Sequence, residues 1–352
     1  MKEEITVTVI FQNRCKYLTF ILHSVSTGYA VAKIADIILF TTLKPFVILC
    51  VKFVHFWELK SLMKRIFTLL SIFAVLSCNR NPSEKEGRII TVSIAPFKYF
   101  VEEIAGDDFT VNIMVPPGSN PHIYEPYPEQ INKLRKSEAY ISNGFLGFEI
   151  TWLDRFYEIN KTMVKLSVGD KIDPIKSYSE GHKGHAEGID PHYWVSPRCA
   201  VIIASSVKEL LCNLNPSARE KYESNYAILL KKLAKADEEA RALFSGDTGR
   251  SFIIYHPNLA YLAKDYGLRE IPVEFEGKEP PPSKMKELID LARAENINTI
   301  FVQKEFDNKN AKVIAHEIGA DVTVIDPLSE EWLRTTLEII NALHKSFIIS
   351  QK

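Results

Sequence analysis

Two hydrophobic patterns, one typical of strands and one typical of helices, alternate along the chain after residue 88. Runs rich in β-branched residues predict buried strands, and in the first half they lie at 89–94, 109–114, 139–142 and 161–166. A second series follows at 251–255, 270–275, 299–302 and 321–325. Segments with apolar residues on one helical face separate these runs. Strands that alternate with helices indicate an α/β fold with mainly parallel sheets.

The stretch between the two series predicts a single long helix. Residues 216–245 are rich in Ala, Leu, Lys and Glu, and no Gly or Pro interrupts them between 217 and 244. At about 1.5 Å per residue such a helix is roughly 40 Å long. We therefore expect two α/β lobes, over residues 88–215 and 246–352, joined by one linking helix.

The N-terminal part of the chain has a different character. In 63–78, two basic residues precede a short apolar run, small residues and Cys78, which is the layout of a bacterial secretory signal peptide. The apolar run has about 13 residues, whereas a membrane-spanning helix needs about 20. The ending Val75-Leu76-Ser77-Cys78 resembles the lipobox of bacterial lipoproteins, which implies that Cys78 carries lipid.

Sixty-two residues precede this signal, which is unusual for a segment that belongs at a chain start. One hypothesis is that translation begins at Met63 and that 1–62 is an extension outside the protein. The alternative is one or two membrane segments, since 37–56 is strongly apolar, although Lys44, Lys52 and His55 interrupt it. The polar stretch 79–87 is expected to be a flexible tether.

Charge and composition narrow the choice of partners. The formal net charge is −1, so no electrostatic attraction to nucleic acid is expected. Apolar residues make up 46% and charged residues 25%, which are ordinary values for globular proteins. Five cysteines are too few for a disulfide framework. Nothing indicates an obligate oligomer, and a monomer is expected.

Three histidines and one aspartate lie next to prolines in turn-rich loops after predicted elements: His122, His192, His256 and Asp326. Open α/β sheets bind ligands at the carboxyl ends of their strands. Three imidazoles and a carboxylate that converge there would suit four-coordinate zinc. Each histidine taken alone is more typical of a surface or packing residue. The wide spacing is weak evidence, and the compact CxxC and HExxH signatures are absent.

The sequences around these four residues strengthen this interpretation. Residues 89–344 resemble the ZnuA/TroA-like solute-binding family of bacterial zinc and manganese ABC importers. The resemblance is carried by Pro121–Pro126, Asn143-Gly144 with Glu149 and Trp152, Asp190–Trp194, His256-Pro257, Tyr261–Leu268, Gly277–Pro280, Ala320–Val322 and Asp326–Leu328.

The resemblance implies two lobes joined by one helix and a metal between them. His122 and His192 would come from the first lobe, and His256 and Asp326 from the second. Two positions depart from the family pattern: Trp332 stands for a usual tyrosine, and Gln303 for a frequent acidic residue. These departures leave the surroundings of Asp326 open.

Zinc is favoured over manganese for two reasons. Three nitrogen ligands suit zinc, whereas manganese prefers oxygen. Zinc-specific family members often carry a mobile His-rich insertion, and 181–188 places His182 and His185 between glycines at that position. These two histidines are expected to help capture metal, although an ordinary polar loop has the same composition.

The resulting expectation is a binding protein rather than an enzyme. It would be lipid-anchored at the periplasmic face of a bacterial membrane and would deliver metal to an ABC permease. A zinc hydrolase is the alternative from another class, but Asp326 would close the open coordination position that catalysis needs. A receptor for haem or an iron chelate fits the converging histidines poorly. Adhesion is kept as a secondary role, because some members of the resembling family carry that label, although nothing physical in the sequence supports it.

Overall fold

The computed structural model describes residues 5–9, 18–22, 87–176, 188–274, 278–306 and 309–349. The signal segment with Cys78, most of the tether, and His182 and His185 lie outside this set. The chain forms two compact units, 1–85 and 86–352. The described part of the first unit is an antiparallel pair, β1 (Ile5–Val9) and β2 (Leu18–Leu22). Among the described residues, no helix has the length and apolar character needed to cross a membrane.

The N-terminal lobe is built on a four-stranded parallel sheet. Its strands are β3 (Ile89–Ile94), β4 (Thr110–Val115), β5 (Ser137–Ser142) and β6 (Val164–Ser167). They lie in the order β4-β3-β5-β6. Its helices are α1 (Ala95–Ala105), α2 (Pro128–Arg135), α3 (Gly147–Ile159) and α4 (Pro197–Leu214). Proline occupies the first turn of three of these helices, where its missing N–H costs nothing.

The C-terminal lobe repeats this arrangement. Its strands are β7 (Ser251–Ile254), β8 (Arg269–Pro272), β9 (Thr299–Gln303) and β10 (Asp321–Ile325). They lie parallel in the order β10-β9-β7-β8. Counted within each lobe, both sheets have the strand order 2-1-3-4. The two lobes therefore share one topology, which their sequences do not reveal, and each has a switch point between its first and third strands.

The linking helix α5 (Arg219–Phe244) contacts both lobes. Its first half binds the N-terminal lobe, where Asn225 Nδ2 donates to the Ile104 carbonyl at 3.0 Å. Its last residue, Phe244, packs against Tyr266 of the C-terminal lobe. The helix begins at Arg219 because residues 216–218 form a separate 3₁₀ turn. The predicted fold, two α/β lobes with parallel sheets joined by one long helix, is confirmed.

The C-terminal lobe completes the structure with α6 (Ala260–Tyr266), α7 (Pro282–Ala294), α8 (Lys309–Ile318) and α9 (Trp332–Ile349). The larger hydrophobic core includes side chains of both lobes, among them Phe100 and Phe252. A smaller core contains Ile253, whose side chain lies on the opposite face of the C-terminal sheet from that of Phe252. The two lobes are thus joined by shared apolar packing as well as by α5.

Two buried tryptophans tie the lobes together near the carboxyl ends of the strands. The indole Nε1 of Trp194 donates to the Pro327 carbonyl at 2.9 Å. In return, Trp332 Nε1 donates to the Trp194 carbonyl at 2.6 Å. The Trp332 ring also lies 5.7 and 5.1 Å, between ring centroids, from Tyr99 and Phe100 of α1. This pair fixes the loop before α4 against the loop after β10.

Two buried carboxylates hold the backbone of strand-end loops. Glu149 accepts from the backbone N–H groups of Asn143 and Gly144, both at 2.7 Å. Glu270 Oε1 accepts from the N–H of Leu259 and of the residue before it, at 2.7 and 3.1 Å. Burial raises the pKa of Glu149 to about 7. Burial, aided by the charge of Asp190, raises the pKa of Glu270 to about 8.

Replacement of Trp332 by Phe tests the contact between the lobes. The Trp194 carbonyl would lose its indole donor in a buried place, which costs about 1–3 kcal/mol. We expect the free energy of unfolding, measured with denaturant, to fall by about that amount. Trp152→Phe is the control, because Trp152 is only partly buried on α3. Equal losses in the two variants would show that the inter-lobe hydrogen bond contributes nothing.

Glu270 predicts a pH dependence of stability. The folded state holds the Glu270 proton more tightly than the unfolded chain, so this group's contribution is complete below about pH 4.5 and is lost as pH rises to about 8. Glu270→Gln keeps the hydrogen-bond acceptor and cannot titrate. We expect the variant to gain stability over wild type progressively across that window.

Denaturant unfolding of the metal-free protein at pH values across this window measures the effect. Groups other than Glu270 are the same in both proteins, so their contributions cancel in the difference. Glu238→Gln on the exposed side of α5 is the control and should leave the pH profile unchanged. A constant difference between Glu270→Gln and wild type would contradict the raised pKa.

Candidate metal centre

His256 lies just after β7 and is held on three sides. Gln303, the last residue of β9, clamps its backbone: Nε2 donates to the His256 carbonyl at 2.5 Å, and Oε1 accepts from its N–H at 3.3 Å. The His256 Nδ1 atom lies 2.6 Å from Glu274 Oε2. The Phe306 ring stacks on the imidazole, with centroids 4.8 Å apart. The ring is therefore fixed with its Nε2 atom free of these contacts.

His192 is fixed in a similar way by the N-terminal lobe. Asp190 Oδ1 accepts from the His192 backbone N–H and also contacts its Nδ1, both at 2.8 Å. Asn143 Nδ2 donates to the carbonyl of the intervening Pro191 at 3.0 Å. The His192 side chain is only 2% exposed. A carboxylate that binds Nδ1–H sets the tautomer in which the Nε2 lone pair faces outward.

His122 comes from the loop that follows β4. Its backbone N–H donates to Asn120 Oδ1 at 2.9 Å, which shapes the turn before it. The His122 side chain is partly exposed, in contrast to the other two histidines. Of the three histidines, it is the one with the greatest exposure to solvent.

The three predicted histidines meet between the lobes. One donor atom from each lies within 4.8 Å of the others. Their ring centroids are 4.9 to 5.3 Å apart. The Nε2 atoms of His122 and His256 are separated by 3.1 Å. Two nitrogens bound at about 2.0–2.1 Å to a tetrahedral ion lie about 3.3–3.4 Å apart, so this spacing is close to that of a zinc ligand pair.

Asp326 stands outside this triad. It follows β10, and its Oδ2 lies 3.3 Å from Lys304 Nζ. Its Oδ1 is buried and has no hydrogen-bond partner among the described residues. Glu305 is close enough for the charge of Asp326 to contribute to its raised pKa, about 7, of which burial is the main cause. The structure thus brings together three of the four residues expected to bind metal.

Three residues that shape the site had no assigned role in the sequence. Asp190 lies two residues before His192, and the Asp-Pro-His motif was the only feature of the sequence that could have indicated its role. Glu274 lies 18 residues from His256, and nothing local marks it as a partner. Gln303 was visible only as a departure from the family pattern. Its two contacts with the His256 backbone show what an amide does at that place.

Comparison with known proteins gives a consistent result. The sequence profile of the family "ZnuA: Zinc-uptake complex component A periplasmic" matches residues 90–344. The zinc-binding lipoprotein AdcA of Streptococcus pneumoniae is 26% identical over 302 residues, covering 81% of this chain and 60% of that protein. The iron-binding protein YfeA of Yersinia pestis is 28% identical over 280 residues, covering 76% of this chain and 88% of that protein.

A solved structure agrees with both. The crystal structure of ZnuA superimposes with a TM-score of 0.69 at 36% identity, covering 74% of this chain and 99% of that chain. The chain spans only about 60% of the length of the AdcA proteins, the first curated relatives it matches. Since the profile covers well over half of the sequence, the chain belongs to the ZnuA family, the periplasmic A components of zinc-uptake complexes.

Proposed function

We propose that this chain is the extracytoplasmic metal-binding protein of an ABC importer and that its cargo is zinc. The observation that carries the proposal is the cluster of three imidazoles between the lobes, two of them buried, in which one donor atom of each lies within 4.8 Å of the others. Nitrogen donors gathered at this density repel one another when protonated and are stabilised by a divalent cation. The family relationship supports the same role.

We assign His122, His192 and His256 as the three nitrogen ligands. Asp190 and Glu274 hold Nδ1 of His192 and His256, which directs each Nε2 at the ion and raises its basicity. Asp326 is proposed as the fourth, oxygen ligand. Its Oδ1, which has no hydrogen-bond partner in the described part of the chain, supports this assignment, and the carboxylate would have to turn from Lys304 to reach the ion.

Zinc is favoured over manganese by the donor set. Three imidazoles and one carboxylate form a compact nitrogen-rich site, which suits tetrahedral zinc, whereas manganese prefers more oxygen ligands. AdcA is a zinc-binding lipoprotein, and a zinc-bound form of a ZnuA deletion mutant superimposes at 36% identity. YfeA is an iron-binding protein, so other divalent metals are the alternative cargo within the family.

Delivery would require the permease to loosen the site. The linking helix, the shared core and the Trp194–Trp332 pair restrict the lobes to small relative movements. We further propose a lipid anchor at Cys78, a monomeric protein, and a loop that captures metal through His182 and His185. The sequence pattern and, for the anchor, the lipoprotein AdcA support these proposals.

A zinc hydrolase is the competing function, and the site argues against it. A catalytic zinc needs an open ligand position and a nearby base. The carboxylates of Asp190 and Glu274 are both engaged with imidazole Nδ1 atoms. Neither is free to take a proton from a bound water, and the family is one of uptake components. A binding protein that performs no catalysis is the better account.

Zinc titration of the purified chain tests the proposal. We expect about one zinc per chain and its loss from the site in His192→Ala, because three nitrogen ligands become two. His316→Ala is the control, since His316 lies exposed on α8. Competition with manganese measures the preference. Binding of neither metal by the wild type would refute the importer role, while tighter binding of manganese would change only the cargo.

Glu274 is expected to matter although it would not touch the metal. Glu274→Gln removes the negative charge that orients His256, and loss of such a partner typically lowers metal affinity about 10- to 100-fold. A fluorescent zinc chelator in competition measures the affinity, and circular dichroism checks the fold. Glu279→Gln, at a nearby exposed position, should bind zinc like the wild type. An unchanged affinity in Glu274→Gln would remove Glu274 from the site.

A further inference from the structure

The register of the C-terminal sheet places a lysine beside the proposed fourth ligand. The adjacent strands β9 and β10 are aligned with Gln303 opposite Ile325. Lys304 and Asp326 are the residues that directly follow the two strands, and the Lys304 N–H extends the hydrogen-bond ladder by donating to the Ile325 carbonyl at 3.0 Å. Both side chains therefore leave the sheet at the same carboxyl edge.

The two oxygens of Asp326 are in different situations. Oδ2 contacts the Lys304 ammonium at 3.3 Å, while Oδ1 is buried without a hydrogen-bond partner among the described residues. A carboxylate that is partly removed from water needs cations or donors around it. Among the residues that the structure describes, Lys304 is the cation in contact with Asp326, and it reaches one of the two carboxylate oxygens.

We infer that Lys304 is a built-in competitor of the metal for Asp326. The ammonium holds the carboxylate when no ion is present, and the ion must displace it to gain its fourth ligand. This inference rests on the proposed function, in which Asp326 binds the metal. Lys304 would thereby lower the affinity for zinc, and it would pair with Asp326 again when the ion leaves.

The surroundings allow Lys304 to move. Its side chain is 58% exposed, whereas that of Asp326 is 25% exposed. Both border a cleft of about 430 Å³ between α1 and the C-terminal lobe, whose other charged side chains are Lys98, Glu102, Glu330, Glu331 and Arg334. A displaced ammonium would thus enter a solvated space in which three carboxylates and two cations already form ion pairs. The exchange that we infer is a rotation of the two side chains.

Lys304→Gln in the purified chain tests the inference. Exposed ion pairs of this kind contribute little, so we expect zinc to bind only about two- to fivefold more tightly. The readouts are zinc affinity, by competition with a fluorescent chelator, and the rate at which zinc passes to excess chelator, which should fall. Lys304→Arg keeps the positive charge and should stay near wild type.

Two controls separate competition at Asp326 from a general effect of charge. Lys98→Gln removes another ammonium from the same cleft and should change the affinity less. In an Asp326→Asn background, Lys304→Gln should have no further effect. An equal gain in Lys98→Gln, an effect that persists with Asn at 326, or unchanged or weaker binding in Lys304→Gln would overturn the inference.

The test also separates this inference from the proposed function. Normal zinc binding with unchanged affinity in Lys304→Gln would leave the importer role intact and remove the lysine from it. Full zinc affinity in Asp326→Asn alone would do the same, because Asp326 would then not be a ligand. A wild-type chain that binds no zinc would fail the proposed function itself.

Discussion

The hydrogen bond between a carboxylate and Nδ1 of a proposed metal-binding imidazole is the interaction on which the candidate metal centre depends. Asp190 makes it to His192, and Glu274 makes it to His256. Each contact fixes a ring and a tautomer at once. Without them, the Nε2 atoms would lose their common direction, and an ion would have to order the rings at the cost of side-chain entropy. His122, which is more exposed, completes the triad.

The rest of the fold supports this arrangement because it holds the sheets of the two lobes together. Each sheet has the same strand order. Three of the predicted ligands follow the carboxyl ends of β4, β7 and β10, and His192 lies in the loop before α4. The helix α5, the shared core and the reciprocal indole hydrogen bonds hold the lobes together. A preorganised site loses little conformational freedom on binding, which favours affinity for the proposed ion. Release must then be assisted, and small side-chain exchanges such as that of Lys304 are suited to it.

Much of this arrangement could be predicted from sequence, because the strand runs, the helix without Gly or Pro and the proline-flanked histidines are local patterns. The shared topology of the lobes could not, since strand order depends on packing across the whole sheet. Glu274 was missed because its partner lies 18 residues away. Asp326 lies beside Lys304 because of the register between β9 and β10. A hydrophobic pattern shows which face of a strand is buried, but it does not show which residue of the neighbouring strand lies opposite.

X-ray absorption at the zinc edge of the zinc-loaded chain tests the central claim most directly. The account predicts one zinc with three imidazole nitrogens at about 2.0–2.1 Å and one carboxylate oxygen at about 2.0–2.2 Å. Loss of one imidazole from the spectrum in His256→Ala would tie the signal to this cluster. A wild-type spectrum with fewer than three imidazoles, or one that His256→Ala leaves unchanged, would contradict the assignment of the site.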